Sequence, residues 1–304
     1  MTAPAIALGP EGQMAWLADA IEAGGGRMTA LEDASALVWG APDDPRGLAA
    51  ALEANPGLDW VALPWAGIEP YLEVLDDRRV WTNAKGVYAE PVAEHALTLA
   101  LAGLRGLTRY VPARTWESEE GRNLLGGRVT IVGGGAITRS LLRLLEPFGA
   151  EVTVVRRRAE PIDGAARVVT ADRLVDALPG ADVVVLTLAM VPDTVGLIGA
   201  AELDAMESHA WLVNVARGGH VRTDDLVAAL GRGSIGGAAL DVTDPEPLPD
   251  GHPLWSEPRC IITPHVGNTR EMGRPLLAAR VRENVERYGR GEPLVGVVEI
   301  ELGY

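Results

Sequence analysis

Three short segments of this sequence contain an arginine, a glutamate and a histidine, residue types that bind carboxylates and transfer protons. The segments are residues 213–219, 241–247 and 263–267. Each follows a continuous apolar run, which is typical of a strand buried on both faces in a parallel sheet. Ligands of open α/β sheets bind beyond the carboxyl ends of such strands. We therefore expect Arg217, Glu246 and His265 to converge at one edge of one sheet.

A further segment has the spacing of a dinucleotide-binding turn, with an apolar strand, three glycines and then a helical pattern. In such a turn the first glycine permits the tight bend, and the second lets the backbone approach a pyrophosphate at the helix N-terminus. We assign these roles to Gly133 and Gly135, with Ala136 and Ile137 in the first turn of the helix. Thr138 replaces the third glycine, which predicts either a displaced helix or a hydroxyl contact. A purely structural glycine turn is the alternative.

The second strand of this unit ends in Arg156, Arg157 and Arg158, where an acidic residue normally binds the ribose hydroxyls of NAD. Arginine at this place pairs with a 2′-phosphate, so the sequence favours NADP over NAD, with Arg156 and Arg157 as ligands. A solvated loop is the alternative, because the chain is rich in arginine and Lys85 is its only lysine. NAD remains a possible cofactor.

Composition restricts the class of protein and its partners. Hydrophobic residues make up 47% and charged residues 23% of the 304 residues, which is typical of a globular protein long enough for two domains. Lys and Arg total 27 against 42 Asp and Glu, and the formal charge of −15 disfavours binding to nucleic acid or anionic lipid. Neither a metal-ligand spacing nor an apolar run near 18 residues occurs. The single Cys260 and the lack of a leader pattern predict a cytoplasmic protein without a metal.

Alternation of short apolar runs with helical spacing predicts an α/β protein with two Rossmann-like doubly wound domains. Strands are predicted at 5–8, 36–39, 60–63, 80–82, 129–132, 152–155, 183–188, 211–215, 237–241 and 259–262. Helices include 14–23, 45–54, 68–75, 91–107 and 269–290. The last helix is expected to return to the first domain. Residues 1–93 plus 270–304 then form the predicted substrate domain, and 94–269 the predicted dinucleotide-binding domain.

The order of these motifs resembles that of the D-isomer-specific 2-hydroxyacid dehydrogenases, in particular the glyoxylate/hydroxypyruvate reductase type. The segments that carry the resemblance are 60–62, 65–68, 83–101, 214–218, 237–247, 252–255 and 263–265. The resemblance implies reversible reduction of a small 2-keto acid such as glyoxylate or hydroxypyruvate, with NADPH as hydride donor. It also implies a homodimer, and domains that close around the substrate to exclude water.

The resemblance assigns roles to the three chemical residues. Arg217 matches the arginine that holds the substrate carboxylate and polarises the keto oxygen. His265 matches the group that transfers a proton to or from that oxygen, and Glu246 matches the carboxylate that orients the histidine and stabilises its protonated form. The alternatives without catalysis are that Glu246 is a surface residue in a proline-rich turn, that Asp241 caps the end of a strand, and that His265 is a histidine with satisfied hydrogen bonds beside Pro264.

Further binding residues follow from the same resemblance. Asp241, Val215 and Ala216 match positions around the nicotinamide. The backbone amides of Ala66, Gly67 and Ile68 match a loop that binds the substrate carboxylate. The other four histidines are interpreted as structural or exposed, without a role in catalysis; they are His95, His209, His220 and His252.

Several positions depart from the family pattern. Val191 removes a hydroxyl near the cofactor phosphates, Arg222 replaces an acidic residue, and Asn268 stands where a small residue or serine is frequent. Asn268 is therefore a candidate for tuning substrate choice. Two other functions remain open at this point, a dinucleotide-sensing protein without catalysis and a dehydrogenase of the formate or phosphite type.

Overall fold

The computed structural model describes residues 3–302, and their packing divides the chain into two compact units. We call Met1–Tyr88 with Thr269–Tyr304 the split unit, and Ala89–Asn268 the central unit. The boundary predicted between residues 93 and 94 falls inside a helix that begins at Ala89 and lies wholly in the central unit. The buried alanines of this helix pack into the core of the central unit, so the helix is not divided.

Within residues 3–302 the chain forms twelve strands and ten α-helices. The strands are β1 (Ala5–Gly9), β2 (Arg27–Met28), β3 (Ala36–Trp39), β4 (Trp60–Ala62), β5 (Val80–Thr82), β6 (Arg128–Val132), β7 (Glu151–Arg156), β8 (Arg167–Thr170), β9 (Val183–Leu186), β10 (Trp211–Asn214), β11 (Gly237–Leu240) and β12 (Cys260–Ile262). The helices are α1 (Ala18–Ala23), α2 (Pro45–Ala54), α3 (Ala89–Leu104), α4 (Leu107–Tyr110), α5 (Ala136–Leu145), α6 (Leu174–Ala177), α7 (Ala200–Ala205), α8 (Thr223–Arg232), α9 (Pro253–Ser256) and α10 (Arg270–Arg290).

The strands form two sheets in which neighbouring strands run parallel. The order is β2-β1-β3-β4-β5 in the split unit and β12-β11-β10-β9-β6-β7-β8 in the central unit. Successive residues of β9 point into two separate hydrophobic cores, Val183 and Val185 into one, Val184 and Leu186 into the other. A parallel sheet covered on both faces is the predicted doubly wound α/β class, which is thereby confirmed.

Some predicted elements differ from those observed. The edge strands β2 and β8 were not predicted, because they are short and mostly polar or only partly buried. The helix predicted at 68–75 is wrong: only the short 3-10 helix Glu69–Tyr71 forms, and the Tyr71 hydroxyl donates to the carbonyl of Ala41. The helix predicted at 14–23 begins as a 3-10 turn and becomes α1 only at Ala18.

The central sheet places three segments at one edge. Strands β10, β11 and β12 are neighbours, with Asn214 beside Leu240 and Leu240 beside Ile262. Because these strands are parallel and end level with one another, the segments after them leave the sheet at the same edge. These are the segments that carry the arginine, the glutamate and the histidine.

Helix α3 lies against the same part of the sheet. At Gly103 the helix approaches β10 so closely that a Cβ atom would overlap the indole ring of Trp211. This contact requires glycine and fixes the position of α3 on the face of the sheet. Among the helices of the described residues, none is both long and apolar enough to span a bilayer.

Candidate active site

His265 and Glu246 form a direct contact beyond the ends of β11 and β12. The Nδ1 atom of His265 lies 2.7 Å from Oε1 of Glu246, and about half of each side chain is exposed. A carboxylate only accepts hydrogen bonds, so Nδ1 carries a proton and donates it to Glu246. The other ring nitrogen, Nε2, has no protein partner among residues 3–302. It is therefore the nitrogen that can exchange a proton with a bound molecule.

The backbone around His265 is unusual for a residue with a side chain. Its φ angle is 53°, in the left-handed region that non-glycine residues adopt only when their surroundings enforce it. The backbone N–H of His265 donates to the carbonyl of Asp241 at 2.8 Å. The turn after β12 is thus bound to the end of β11.

The side chain of Asp241 fixes the rest of this turn. It is 3% exposed and accepts hydrogen bonds from Thr263 Oγ1 at 2.6 Å and from the backbone N–H groups of Val266 and Gly267 at 2.8 Å each. His95 Nε2 lies 3.3 Å from Oδ1. Burial alone would raise the pKa of Asp241, but hydrogen bonds from His95, Thr263, Val266 and Gly267 outweigh it and lower the pKa to about 2. Asp241 is therefore ionised at neutral pH.

Both oxygens of Asp241 are engaged by its own unit, although the sequence predicts a place for this residue beside the nicotinamide. A contact of Asp241 with the cofactor stays a prediction. The contacts of His95 and Thr263 with this carboxylate were not predicted from the sequence. One signal was present, since His95 lies four residues before the buried Leu99 and so places a polar side chain toward the apolar face of α3.

Arg217 lies on a loop that a buried asparagine holds in place. Asn214 is fully buried at the end of β10, donates to the carbonyl of Arg217 at 2.8 Å and accepts from the backbone N–H of Ala216 at 3.0 Å. At Gly218 a Cβ atom would overlap the backbone of Thr243, so the arginine loop and the glutamate loop pack together. The structure thus brings Arg217, Glu246 and His265 to one edge of the central sheet. Val215 and Ala216, which are part of this loop, are buried.

The remaining three histidines of the central unit have structural contacts. His220 is fully buried, with Nδ1 2.9 Å from the carbonyl oxygen of Thr194 and Nε2 3.3 Å from that of Leu188. His209 Nε2 lies 3.0 Å from Asp182 Oδ1. The side chain of His252 caps the start of α9 by accepting from a backbone N–H.

The glycine turn fits a bound dinucleotide. Gly133 has φ 131°, and a Cβ atom there would overlap Thr187, so the turn needs glycine. A Cβ atom on Gly135 would meet nothing within 4 Å, which leaves open space outside the N-terminus of α5, where unpaired backbone N–H groups favour an anion. Ala136 and Ile137 form the first turn of this helix. The donor set and the free volume therefore suit a pyrophosphate.

Arg156 borders the same turn. A Cβ atom on Gly134 would lie 2.8 Å from Arg156 Nε, so the guanidinium stem passes directly beside the glycines. Its contacts with Glu160 are long, 3.4 Å to the carbonyl oxygen and 3.7 Å to the carboxylate. Arg157 and Arg158 are exposed. Of the three consecutive arginines, Arg156 is the one placed against the turn.

Thr138 offers a hydroxyl instead of the missing third glycine. It is fully buried, and its Oγ1 donates to the carbonyl of Gly133 at 3.0 Å and lies 2.9 Å from Thr187 Oγ1. Thr187 in turn lies 3.3 Å from the carbonyl oxygen of Val132. The two hydroxyls thus connect the glycine turn, α5 and the end of β9.

In the split unit, the loop after β4 presents three consecutive backbone donors. The carbonyl of Trp65 accepts from Ala84 N–H at 2.9 Å, and that of Ala66 accepts from the side chain of the buried Asn83 at 2.8 Å. Within the described part of the chain, the N–H groups of Ala66, Gly67 and Ile68 have no acceptor. Lys85 N–H donates to the oxygen of the Asn83 side chain at 3.1 Å, which fixes the amide orientation. This loop is therefore held rigidly with its donors free.

Residues 3–302 contain no group of three or more His, Cys, Asp or Glu side chains placed to hold a metal ion.

Replacing Thr138 with valine tests the hydroxyl pair. Valine keeps the volume but leaves the carbonyl of Gly133 and the hydroxyl of Thr187 short of a partner in a buried site. We expect the free energy of unfolding, measured by urea denaturation, to fall by about 1–3 kcal/mol. Thr98→Val is the matched control, because Thr98 also bonds a backbone carbonyl, at 2.9 Å, but is exposed on α3. Equal losses in the two variants would contradict the role of the buried pair.

Comparison with protein families matches residues 95–267 to the D-isomer specific 2-hydroxyacid dehydrogenase, NAD binding domain. A glyoxylate/hydroxypyruvate reductase A from Photorhabdus laumondii is 30% identical over 284 residues, which are 88% of this chain and 87% of that protein. An uncharacterized protein from Corynebacterium melassecola is 36% identical over 93% of this chain and 95% of its own.

Solved structures show the same similarity over almost the whole chain. A D-isomer specific 2-hydroxyacid dehydrogenase from Xanthobacter autotrophicus Py2, in complex with NADPH and MES, is 25% identical with a TM-score of 0.86, covering 99% of this chain and 100% of that one. An NADPH-dependent glyoxylate/hydroxypyruvate reductase from Sinorhizobium meliloti, in complex with NADP and sulfate, is 25% identical with a TM-score of 0.81, covering 99% and 100%. The resemblance seen in the sequence is confirmed. The chain belongs to the D-isomer specific 2-hydroxyacid dehydrogenase family and is an NAD(P)-dependent oxidoreductase.

Proposed function

We propose that this protein reduces a small 2-keto acid of the glyoxylate or hydroxypyruvate type with NADPH. The observation that carries the proposal is the 2.7 Å contact between His265 and Glu246, which leaves Nε2 of the histidine available for proton transfer. The names of the relatives from Photorhabdus laumondii and Sinorhizobium meliloti support this substrate class. The bound cofactor supplies the hydride, and the protein must supply the proton and hold the substrate.

His265 is the proposed proton donor to the keto oxygen. When doubly protonated, its Nδ1 hydrogen binds Glu246 and its Nε2 hydrogen points to the substrate. The carboxylate of Glu246 holds the ring in this orientation by accepting the Nδ1 hydrogen. In the reverse direction, Nε2 takes the proton from the hydroxyl group. The same pair therefore serves reduction and oxidation.

Arg217 is the proposed ligand of the substrate carboxylate and of the keto oxygen. Its guanidinium has five donors in a planar fork, so it can bind a carboxylate and still polarise a neighbouring oxygen. The free N–H groups of Ala66, Gly67 and Ile68 are proposed to bind the substrate carboxylate as well. Neutralising that carboxylate favours a small acidic substrate over a neutral ketone.

The preference for NADPH is proposed to come from Arg156, with a smaller contribution from Arg157. Arg156 lies beside the glycine turn and has only long contacts with Glu160, so its guanidinium can pair with a 2′-phosphate. Val215, Ala216 and Asp241 are the proposed neighbours of the nicotinamide.

Substitution of His265 tests the proposed chemistry. We expect His265→Ala to lower kcat for glyoxylate and hydroxypyruvate by about 10²–10⁴-fold, because the general acid is lost, while NADPH still binds. His209→Ala is the matched control, since His209 also pairs with an acidic residue but outside the site. Steady-state kinetics and fluorescence titration with NADPH measure both quantities. Oxidation of formate or phosphite without reduction of any 2-keto acid would contradict the proposal, as would equal rates of His265→Ala and wild type.

The cofactor preference is tested by comparing NADPH with NADH. We expect Arg156→Ala to weaken NADPH binding by about 10-fold to 100-fold, the effect of losing a charged hydrogen bond, and to leave NADH binding unchanged. Arg158→Ala is the control, because Arg158 belongs to the same run of arginines but is exposed. A wild-type rate with NADH equal to or better than that with NADPH would refute the preference.

A homodimer is part of the proposal. It is supported by three strongly exposed apolar side chains between residues 111 and 125 of the central unit, Val111 at 73%, Trp116 at 102% and Leu125 at 65% exposure. Large apolar and aromatic side chains at such positions are typical of protein interfaces. We expect Trp116→Ser to shift the protein from dimer toward monomer in sedimentation equilibrium, whereas Trp255→Ser has no effect. A monomeric wild type would exclude this assembly.

A further inference from the structure

His95, which was predicted to have no role in catalysis, takes no part in the proposed chemistry. It lies on α3 with its side chain 19% exposed. Its Nε2 atom is 3.0 Å from Thr263 Oγ1 and 3.3 Å from Asp241 Oδ1. Thr263 is the residue after β12, two positions before His265.

The hydrogens of this cluster can be assigned from the geometry. Thr263 donates its only hydroxyl hydrogen to Asp241 Oδ1 at 2.6 Å. Toward His95 the hydroxyl oxygen must therefore accept. The carboxylate of Asp241 also accepts only. Both neighbours of Nε2 are acceptors, so this nitrogen of His95 carries a hydrogen and donates to them.

The groups of this turn that donate hydrogen bonds to Asp241 lie on both sides of His265 in the chain. Val266 N–H and Gly267 N–H reach the carboxylate from the residues after the histidine, and Thr263 reaches it from before. A Cβ atom on Gly267 would lie 3.0 Å from Asp241 Oδ2 and 3.6 Å from His95 Cδ2, so the turn packs directly on this pair. His95 thus closes the side of the carboxylate that faces α3.

We propose that His95 is a positioning residue for His265. By donating to Asp241 and Thr263 it fixes the carboxylate that bends the chain into the left-handed conformation at His265. This conformation lets the imidazole reach Glu246 and present Nε2 outward. The inference rests on the proposed function, since it gives a second histidine a part in the same proton transfer without contact to the substrate.

The experiment compares wild type, His95→Leu, His95→Gln and His209→Leu in the full chain with saturating NADPH and either glyoxylate or hydroxypyruvate. Leucine has no donor, whereas glutamine places an amide N–H near the position of Nε2. We expect kcat of His95→Leu to fall about 10-fold to 100-fold, because a small displacement of the reacting group has that effect. The KM for the keto acid and the Kd for NADPH should stay within about twofold.

His95→Gln should recover most of kcat, and His209→Leu should match wild type, because Asp182 lies just before the other end of β9. Hydrogen exchange gives a readout independent of activity: the amides of Val266 and Gly267 should exchange faster in His95→Leu. A role in stability alone would lower the free energy of unfolding but leave kcat per NADPH-binding site unchanged, and this result overturns the inference. Equal kcat in the leucine and glutamine variants also overturns it.

If wild type reduces no 2-keto acid, the proposed function fails and hydrogen exchange alone decides about His95. Faster exchange at Val266 and Gly267 in His95→Leu then supports the positioning role. Unchanged exchange contradicts it.

Discussion

A buried carboxylate needs hydrogen-bond donors on several sides, and the site of this protein is arranged around that requirement at Asp241. Its 3% exposure removes water as a partner, so donors from the chain must replace it. They come from α3, from the end of β12 and from the turn that follows. Because the turn supplies two backbone N–H groups, satisfying the carboxylate also sets the backbone on which His265 stands. Asp241 therefore orients the side chain of His265 through the backbone of the turn.

The parallel sheet makes this arrangement possible. Neighbouring parallel strands end at one edge, so three loops far apart in sequence begin close together. The loops after β10 and β11 then pack at Gly218 and Thr243, where a side chain in place of glycine would force them apart. Rigid strands set the coarse position of each loop, and buried polar residues such as Asn214 and Asp241 set the fine position. This division matters because proton transfer tolerates only small errors in distance.

Short sequence patterns allowed the central sheet and the candidate site residues to be predicted. Apolar runs marked the strands of the central sheet, the three glycines marked the turn after β6, and the residues after each strand identified Arg217, Glu246 and His265. The contact of His95 with Thr263 was not predictable, because the two residues are 168 positions apart and only the packing of α3 brings them together. The edge strands β2 and β8 were missed since they bury little apolar surface. At Thr138 the sequence left two outcomes open, and the hydroxyl contact depends on a partner, Thr187, that no local pattern reveals.

The end of β9 supports two different parts of the central unit. Thr187 bonds the hydroxyl of Thr138 under the glycine turn, and the carbonyl oxygen of the next residue, Leu188, lies within reach of the buried His220, three residues after Arg217. A displacement of this short segment of backbone would therefore change both the glycine turn and the arginine loop. The positions of the two loops are thus coupled through two consecutive residues, neither of which belongs to the reacting groups.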